Sequence, residues 1–208
     1  MDHQFTTAVI ALALAWASGI RLYTVLFLVG VAGQSHWFDW QIPQSLAILS
    51  HPLVLGANAL LIFVEFFADK IPGLDSAWDA AHTFIRIPAG ALLAAGVIGS
   101  EDGAAWALAA GLIGGTITAG THFTKAGGRL AINSSPEPFS NWAASFSEDT
   151  VVVVGLWLAF QHPIVFLAML GLFVLLMLWL IPKLYRLLKA MFRRLAGWAA
   201  PSESRRAA

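Results

Sequence analysis

The chain has 208 residues and 12 acidic and 12 basic side chains, so its formal net charge at pH 7 is zero. Hydrophobic residues make up 58% of it and charged residues 12%, against roughly 45–50% and 25% in ordinary soluble domains. So few charges exclude a water-soluble protein of this size. The absence of cysteine excludes disulfides and thiolate metal sites.

The first apolar stretch runs from about Thr6 to Gly33 and is interrupted by Ser18-Gly19-Ile20-Arg21. The residues before it lack the positive region of a signal peptide, so we expect a retained first span. A second span is expected from His51-Pro52 to about Ala68. Pro72 and Gly73 then end the helix.

A third helix should begin at Leu74 and become wholly apolar from Ile87 to Gly99, and a fourth span should follow from Ala104 to about Thr121. Both are rich in glycine and alanine. Small residues four apart let helix backbones approach closely in lipid. The pattern therefore predicts a tightly packed hairpin of the third and fourth spans.

The next apolar segment, Thr150 to Phe160, is too short to cross a bilayer alone, because a span needs about 20 residues. It crosses only if its helix starts back near Asn141, and otherwise it is re-entrant. Pro163 to Pro182 is the last span. The fold class is therefore an all-α transmembrane bundle over residues 1–182, with about six spans, or five and a re-entrant segment.

Seven of the twelve lysines and arginines lie from Lys183 onward. A basic segment after a span lies preferentially on the cytoplasmic side, so we expect a cytoplasmic C-terminus, with both termini inside if there are six spans. Residues 183–198 should form a basic amphipathic helix on the membrane surface, and residues 199–208 a disordered tail. Their aromatic and apolar neighbours favour the lipid bilayer as partner over nucleic acid.

Two polar stripes at helical spacing lie beside or inside the spans. A charge at that depth is costly unless it is paired or hydrated, so each stripe is a functional-site hypothesis. Two spans separate the stripes along the chain, which places them on one side of the membrane. The mostly acidic stripe comprises Glu65, Asp69, Asp75, Asp79, His82 and Arg86. The mostly basic stripe and its oxygen-rich continuation comprise His122, Lys125, Arg129, Asn133, Glu137, Asn141, Glu148 and Asp149.

The charges of these stripes admit two interpretations. Arg21, deep in the first span, is the expected partner of Glu65, either as an ion pair that fixes helix register or as part of a proton or cation site. Lys125 and Arg129 suit a phosphate or carboxylate ligand. They could equally pair with the acidic stripe, and the sequence leaves both interpretations open.

Asp79 and His82 match the i, i+3 spacing with which helical bundles hold metals. A di-metal site needs a second such pair, and His122 has no carboxylate three residues before it. We therefore predict no cofactor and retain Asp79 and His82 as the metal candidates.

Three segments carry a family resemblance: SGIR at 18–21, EFFADKIPGLDSAWD at 65–79, and HFTKAGGR at 122–129 followed by NSSPEP at 133–138. Together they resemble a bacterial membrane-protein family, domain of unknown function 4126, over nearly the whole chain. The resemblance implies an integral membrane protein and supplies no activity.

The leading functional hypothesis is a bacterial inner-membrane protein that binds and translocates a small polar or anionic solute or ion between its helices. One alternative is a membrane enzyme acting on a lipid or phosphorylated substrate, with Asp79, His82 and His122 as acid–base groups or metal ligands. Another is a non-catalytic scaffold whose stripes are structural pairs. The sequence leaves self-association open.

Overall fold

We describe a computed structural model over residues 3–35, 40–133 and 138–199, in which every regular element is helical. A short 3-10 helix, Gln44–Ser50, precedes the second α-helix. The α-helices are α1 His3–Ser35, α2 Pro52–Ala68, α3 Leu74–Asp102, α4 Ala104–Ile132, α5 Pro138–Gln161 and α6 Pro163–Ala199. The predicted all-α bundle is confirmed.

Five of these helices, α1, α3, α4, α5 and α6, are long and apolar enough to cross a membrane. The 3-10 helix and α2 meet at 67° and together make a sixth candidate. Large apolar side chains cover the outside of the bundle, among them Phe84 at 84% exposure and Leu53 at 78%. Such a surface suits lipid rather than water, and the chain is a multi-pass membrane protein.

Helix α5 resolves the alternative over Thr150 to Phe160. It begins at Pro138, so that apolar segment is the second half of a full-length candidate span. The turn between α3 and α4 is shorter than the polar residues 100–103 suggest, because α3 continues to Asp102. Gly103, with φ of 87°, makes the turn, a backbone conformation that glycine adopts without steric penalty.

Helix α1 is broken at Arg21, whose φ of −140° and ψ of 74° are not helical. Before the break, Ala8 lines a cavity together with Trp106, at the start of α4. After the break, Ala32 lines a cavity with Phe160, near the end of α5, and that cavity also contains Leu14 of the first half. Both ends of α1 therefore lie at the end of the bundle where α3 meets α4, and Arg21 lies at the tip between them.

The contacts of α1 thus show that the first apolar segment is re-entrant. The sequence interpretation considers a re-entrant segment only in the region of α5. Gly30 approaches Leu49 of the 3-10 helix, and Ser45 of the same helix donates a hydrogen bond of 2.6 Å to the Gly96 carbonyl of α3. Non-helical backbone at membrane depth is tolerated where protein buries it or where it lines a cavity. Helix α1 meets that condition, because it packs against every other α-helix.

Small residues bring α3 and α4 together along their length. A Cβ atom added at Gly114 would lie 2.5 Å from the Ala94 Cβ, and one at Gly99 would lie 2.6 Å from the Ala107 Cβ. The structure thus contains the predicted glycine- and alanine-rich hairpin.

Helix α6 runs through Pro182 to Ala199 as one α-helix. The basic segment 183–198 therefore continues the last span, and its location on a membrane surface remains a prediction. The tail predicted to be disordered lies, from residue 200 onward, outside the described residues.

Candidate functional site

The two polar stripes and Arg21 meet in one buried network, which we call the charge cluster. Helices α1, α3, α4 and α5, together with the end of α2, each contribute to it, so the predicted placement on one side agrees with the geometry. The charge cluster consists of four cations and five carboxylates joined by ion pairs: Arg21, Arg86, Lys125, Arg129, Glu65, Asp69, Asp79, Glu148 and Asp149.

Arg21 joins the tip of α1 to α5 and to the turn after α2. Its Nη1 pairs directly with Asp69 Oδ2, and its Nη2 donates to Ser145 Oγ at 3.0 Å. Its Nε lies 2.8 Å from Asp149 Oδ1. The partner expected from the sequence, Glu65, lies farther away, at 3.8 Å from Nη1.

Arg86 is the closest cation to Glu65. Its Nη2 pairs directly with Glu65 Oε1, and its Nη1 donates to Asp79 Oδ1 at 2.8 Å. His122 of α4 lies next to Arg86. Its Nδ1 is 3.4 Å from Arg86 Nη1, and its Nε2 is 2.8 Å from Thr83 Oγ1. Arg86 therefore connects α2 to α3, and His122 connects both to α4.

Arg129 binds the α5 side of the cluster. Its Nε and Nη2 donate to the two carboxylate oxygens of Glu148 at 2.9 and 2.8 Å, a bidentate pair. Its Nη1 donates to the backbone carbonyls of Asp69 and Asn141, both at 3.1 Å.

Lys125 occupies the centre of the charge cluster. Its Nζ lies 3.5 Å from Asp79 Oδ1, 3.5 Å from Glu148 Oε2, 3.6 Å from Asp69 Oδ2 and 3.7 Å from Glu65 Oε1. The same nitrogen donates a hydrogen bond of 3.1 Å to the Ile20 carbonyl, beside the break in α1.

Asp75, Asn133 and Asn141 form a hydrogen-bonded extension beside the cluster. Asn133 Nδ2 lies 2.8 and 2.9 Å from the two Asp75 oxygens, and Asn141 Nδ2 donates to Asn133 Oδ1 at 2.7 Å. Asp75 also accepts from the Ser76 amide at 2.6 Å. These bonds join the start of α3 to the end of α4, whereas the predicted site residue Glu137 lies outside the described residues.

The metal candidates Asp79 and His82 do not converge on a common point. The Asp79 carboxylate pairs with Arg86, whereas His82 Nδ1 lies 2.7 Å from the Trp78 carbonyl and its ring stacks on Trp78 at 4.0 Å. Within the described ranges, no group of three histidine, aspartate or glutamate side chains is placed to hold a metal ion.

The cluster contains one more carboxylate than it has cations. Two of its oxygens, Asp69 Oδ1 and Asp79 Oδ2, have no hydrogen-bond partner, although the residues are only 0% and 1% exposed. Burial alone would raise the pKa of Asp69, which lies in the turn after α2. The charges of Lys125, Arg21 and Arg129 outweigh burial and lower that pKa below its usual value.

A family model for a domain of unknown function, DUF4126, matches residues 8–183. The chain belongs to this family. No curated protein and no solved structure matches it. The match spans every residue of the charge cluster, and the family description names no activity, so function has to be argued from the site of this DUF4126 protein.

Two contributors to the site have little sequence signal. Thr83, which is hydrogen-bonded to His122, lies four residues after Asp79 on the same helix face. Threonine is common in helices of all kinds, so its presence there does not indicate a site. The Ile20 carbonyl is backbone, and its only signal is the interruption of the first apolar stretch at Ser18-Gly19-Ile20-Arg21.

Proposed function

We propose that this protein is a membrane transport protein that binds a proton or a small cation at the charge cluster. The observation that carries the proposal is that two buried carboxylate oxygens of the cluster, Asp69 Oδ1 and Asp79 Oδ2, have no hydrogen-bond partner. Charged side chains within membranes are expensive and mark ion pathways or proton relays. A broken helix that carries part of the site is also a feature of ion sites in transporters.

The same two oxygens favour a proton or a cation over the anionic solute of the sequence hypothesis. Arg86 pairs with Glu65 and Asp79, Arg129 with Glu148, and Lys125 lies among four carboxylates. An anion would have to compete with these carboxylates for the cations, although Arg86 Nε has no hydrogen-bond partner. A proton or cation instead finds oxygens that are not yet bonded.

A purely structural network is the alternative to a transport site. Buried polar atoms in proteins are nearly always hydrogen-bonded, and an unpartnered buried carboxylate oxygen destabilises a fold by about 1–3 kcal/mol or more. A network that served only to hold helices together would be expected to satisfy Asp69 Oδ1 and Asp79 Oδ2. The two unpartnered oxygens therefore support ligand binding over a purely structural role.

The location follows from the charge distribution along the chain. We place the protein in a bacterial inner membrane with its C-terminus in the cytoplasm, because basic residues are concentrated from Lys183 onward. The end of the bundle where Arg129 and Lys70 lie, opposite the turn between α3 and α4, is then the cytoplasmic end.

Flux through purified protein in liposomes tests the proposal. We expect the wild type to dissipate imposed gradients of H⁺, Na⁺ or K⁺, read by a pH dye inside the vesicles or by an ion-selective electrode outside them. Asp79→Asn should reduce the flux at least tenfold, because it removes a charge that binds the ion and keeps the side chain's shape.

Glu101→Gln is the matched control, since Glu101 lies at the far end of α3 from Asp79. Its flux should equal that of the wild type. Absence of flux for all three ions in correctly folded wild-type protein would overturn the proposal, and so would equal flux in the Asp79→Asn protein.

A further inference from the structure

We propose that His122 is an uncharged positioning residue that holds Arg86 between two carboxylates and thereby keeps Asp79 Oδ2 open to the proton or cation. This role rests on the proposed function, since it concerns one of the two unpartnered oxygens of the charge cluster. It is defined by which ring nitrogen of His122 carries the hydrogen and by what the ring does to the guanidinium of Arg86.

Arg86 of α3 binds its carboxylates differently from Arg129 of α4. Arg129 donates through Nε and Nη2 to both oxygens of Glu148, at 2.9 and 2.8 Å, which is the bidentate geometry that arginine commonly adopts. Arg86 instead divides its two terminal nitrogens between Glu65 Oε1 and Asp79 Oδ1, and its Nε has no hydrogen-bond partner. A further contact is needed to hold the guanidinium in this divided orientation.

His122 supplies that contact, at the terminal nitrogen of Arg86 that points to Asp79. Its Nδ1 lies 3.4 Å from Arg86 Nη1, and the residue is 0% exposed. Each terminal nitrogen of a guanidinium carries two hydrogens, so Nη1 can donate one to Asp79 Oδ1 at 2.8 Å and the other to His122. The imidazole thus anchors Nη1 at a point where it reaches one Asp79 oxygen and not both.

The contact with Arg86 also fixes the protonation state of His122. A guanidinium can only donate hydrogen bonds, so Nδ1 must offer its lone pair and cannot carry a hydrogen. The hydrogen of the neutral ring is then on Nε2, which lies 2.8 Å from Thr83 Oγ1. Thr83 donates its own hydrogen to the Asp79 carbonyl at 3.1 Å, so its oxygen is left to accept from His122. The hydrogen bonds therefore run in one direction, from Arg86 through His122 and Thr83 to the backbone of α3.

The surroundings of His122 oppose a second hydrogen on the ring. The charged or titratable groups that act on it are Arg86, Asp79 and His82 on α3 and Lys125 on α4. Two of these are cations, and both burial and like charges disfavour an imidazolium. An unperturbed histidine changes its charge between about pH 5 and 8. His122 is therefore expected to stay neutral over that range.

The orientation of Arg86 decides whether Asp79 can bind a ligand. With the guanidinium held on Oδ1, Asp79 Oδ2 has no partner, although the residue is only 1% exposed. If the guanidinium turned to bind both oxygens of this carboxylate, as Arg129 does with Glu148, no oxygen would remain for a proton or cation. His122 thus prevents the site from being satisfied by the protein itself.

The same arrangement argues against His122 as the acid–base group of a membrane enzyme. A general base needs a lone pair within reach of the proton that it removes from the substrate. In His122 the lone pair of Nδ1 faces Arg86, and the hydrogen of Nε2 faces Thr83. Both ring nitrogens are therefore used within the protein.

Nitrogen NMR of the full chain in lipid, with ¹⁵N-labelled histidine rings, tests the protonation state. The chain has six histidines, and the signals of His122 are those that disappear in His122→Asn. We expect them to report a neutral ring with its hydrogen on Nε2 from about pH 5 to 8. A ring that becomes charged in this range, or one that carries its hydrogen on Nδ1, would overturn the inference.

Two substitutions at His122 separate positioning from packing. In His122→Asn the amide oxygen can replace Nδ1 as the acceptor from Arg86, whereas His122→Leu is of similar size and has no acceptor. We expect His122→Asn to keep the wild-type flux in liposomes and His122→Leu to lose about tenfold or more, because it removes a hydrogen bond to a charged group. His162→Leu, which replaces an exposed histidine between α5 and α6, is the matched control and should behave as the wild type.

A pair of variants at Thr83 decides if His122→Leu does not fold. Thr83→Val keeps the size of the side chain and removes the acceptor for Nε2, whereas Thr83→Ser keeps the hydroxyl. Flux should fall about threefold in Thr83→Val, for the loss of a neutral hydrogen bond, and stay at the wild-type level in Thr83→Ser.

Equal flux in folded His122→Asn and His122→Leu proteins, or in the two Thr83 variants, would overturn the inference and leave the transport function intact. Wild-type protein without flux would overturn the transport function. The histidine spectrum would then still decide whether His122 is the neutral acceptor of Arg86, because it does not depend on transport.

Discussion

Asp69 is the carboxylate on which most of the cluster's cations converge. Arg21 pairs with it directly, and Arg129 Nη2 and Lys125 Nζ lie 3.5 and 3.6 Å from its Oδ2. Its position in the turn between α2 and α3 gives one side chain contact with α1 and α4. The convergence accounts for the lowered pKa of this carboxyl despite its burial.

The lowered pKa of Asp69 predicts an acid limit to stability. A group with a folded-state pKa below its unfolded value of about 3.9 stabilises the fold fully above that value. The stabilisation is lost as the pH falls through the folded-state pKa. We therefore expect the unfolding temperature in detergent to decline below about pH 4.

Asp69→Asn tests that limit by removing the charge and keeping the shape. The substitution leaves three cations short of a partner, and breaking a buried pair costs about 3–5 kcal/mol. The variant should unfold at lower temperature at pH 7 and show a smaller further loss below pH 4 than the wild type. Glu101→Gln should match the wild type, and an unchanged acid profile in Asp69→Asn would contradict the assignment.

The residues that meet in the charge cluster were largely predictable because helical spacing is regular. Once Asp79, His82 and Arg86 are placed on one helix face and Lys125 and Arg129 on another, two intervening spans bring the faces to one side. The choice of partners was not predictable. Arg21 was expected to pair with Glu65, but the break in α1 aims its guanidinium at Asp69 and α5, and Arg86 takes Glu65 instead.

At the scale of elements, close backbone contact fixes where the tip of α1 lies. A Cβ atom at Gly19 would lie 2.6 Å from the Thr118 carbonyl and 2.7 Å from the Thr121 Cβ of α4. These neighbours are backbone and a stiff β-branched side chain, so neither can move aside cheaply. Glycine at 19 lets α1 approach α4 closely enough for Lys125 to reach the Ile20 carbonyl.

Gly19→Ala should therefore destabilise the protein by about 1–3 kcal/mol, the usual range for overpacking. Gly56→Ala in α2 is the matched control, because nothing lies within 4 Å of its added Cβ. Since alanine is the better helix former, that control should be neutral or slightly stabilising. Equal unfolding temperatures for the two variants would show that α1 and α4 are less tightly packed than described.

At the scale of the whole molecule, the path of α1 decides which face each terminus occupies. By hydropathy, the 33 residues of α1 form one apolar helix that crosses the membrane once. Hydropathy does not report whether an apolar helix turns back, because a segment that turns back has the same composition as one that continues across the membrane. The fold class and most helix bounds followed from composition and periodicity, whereas the return at Arg21 depends on contacts distant in sequence.

Single cysteines introduced into this cysteine-free chain test the path of α1. If α1 returns, Gln4→Cys and Gln41→Cys should react with a membrane-impermeant maleimide from the same side of the membrane, and Ile71→Cys from the other. All three positions are exposed. Labelling of Gln4→Cys and Gln41→Cys from opposite sides would establish a single crossing instead.

The break at Arg21 also has a consequence for biosynthesis. Chains enter the membrane from the N-terminus, so the guanidinium of α1 arrives before any acid that neutralises it. Asp69 follows 48 residues later, and Ser145 on α5 follows 124 residues later. The nascent α1 must therefore keep this guanidinium hydrated or shielded by protein until Asp69 has been made, and the contacts with Ser145 and Asp149 form only after α5 has followed.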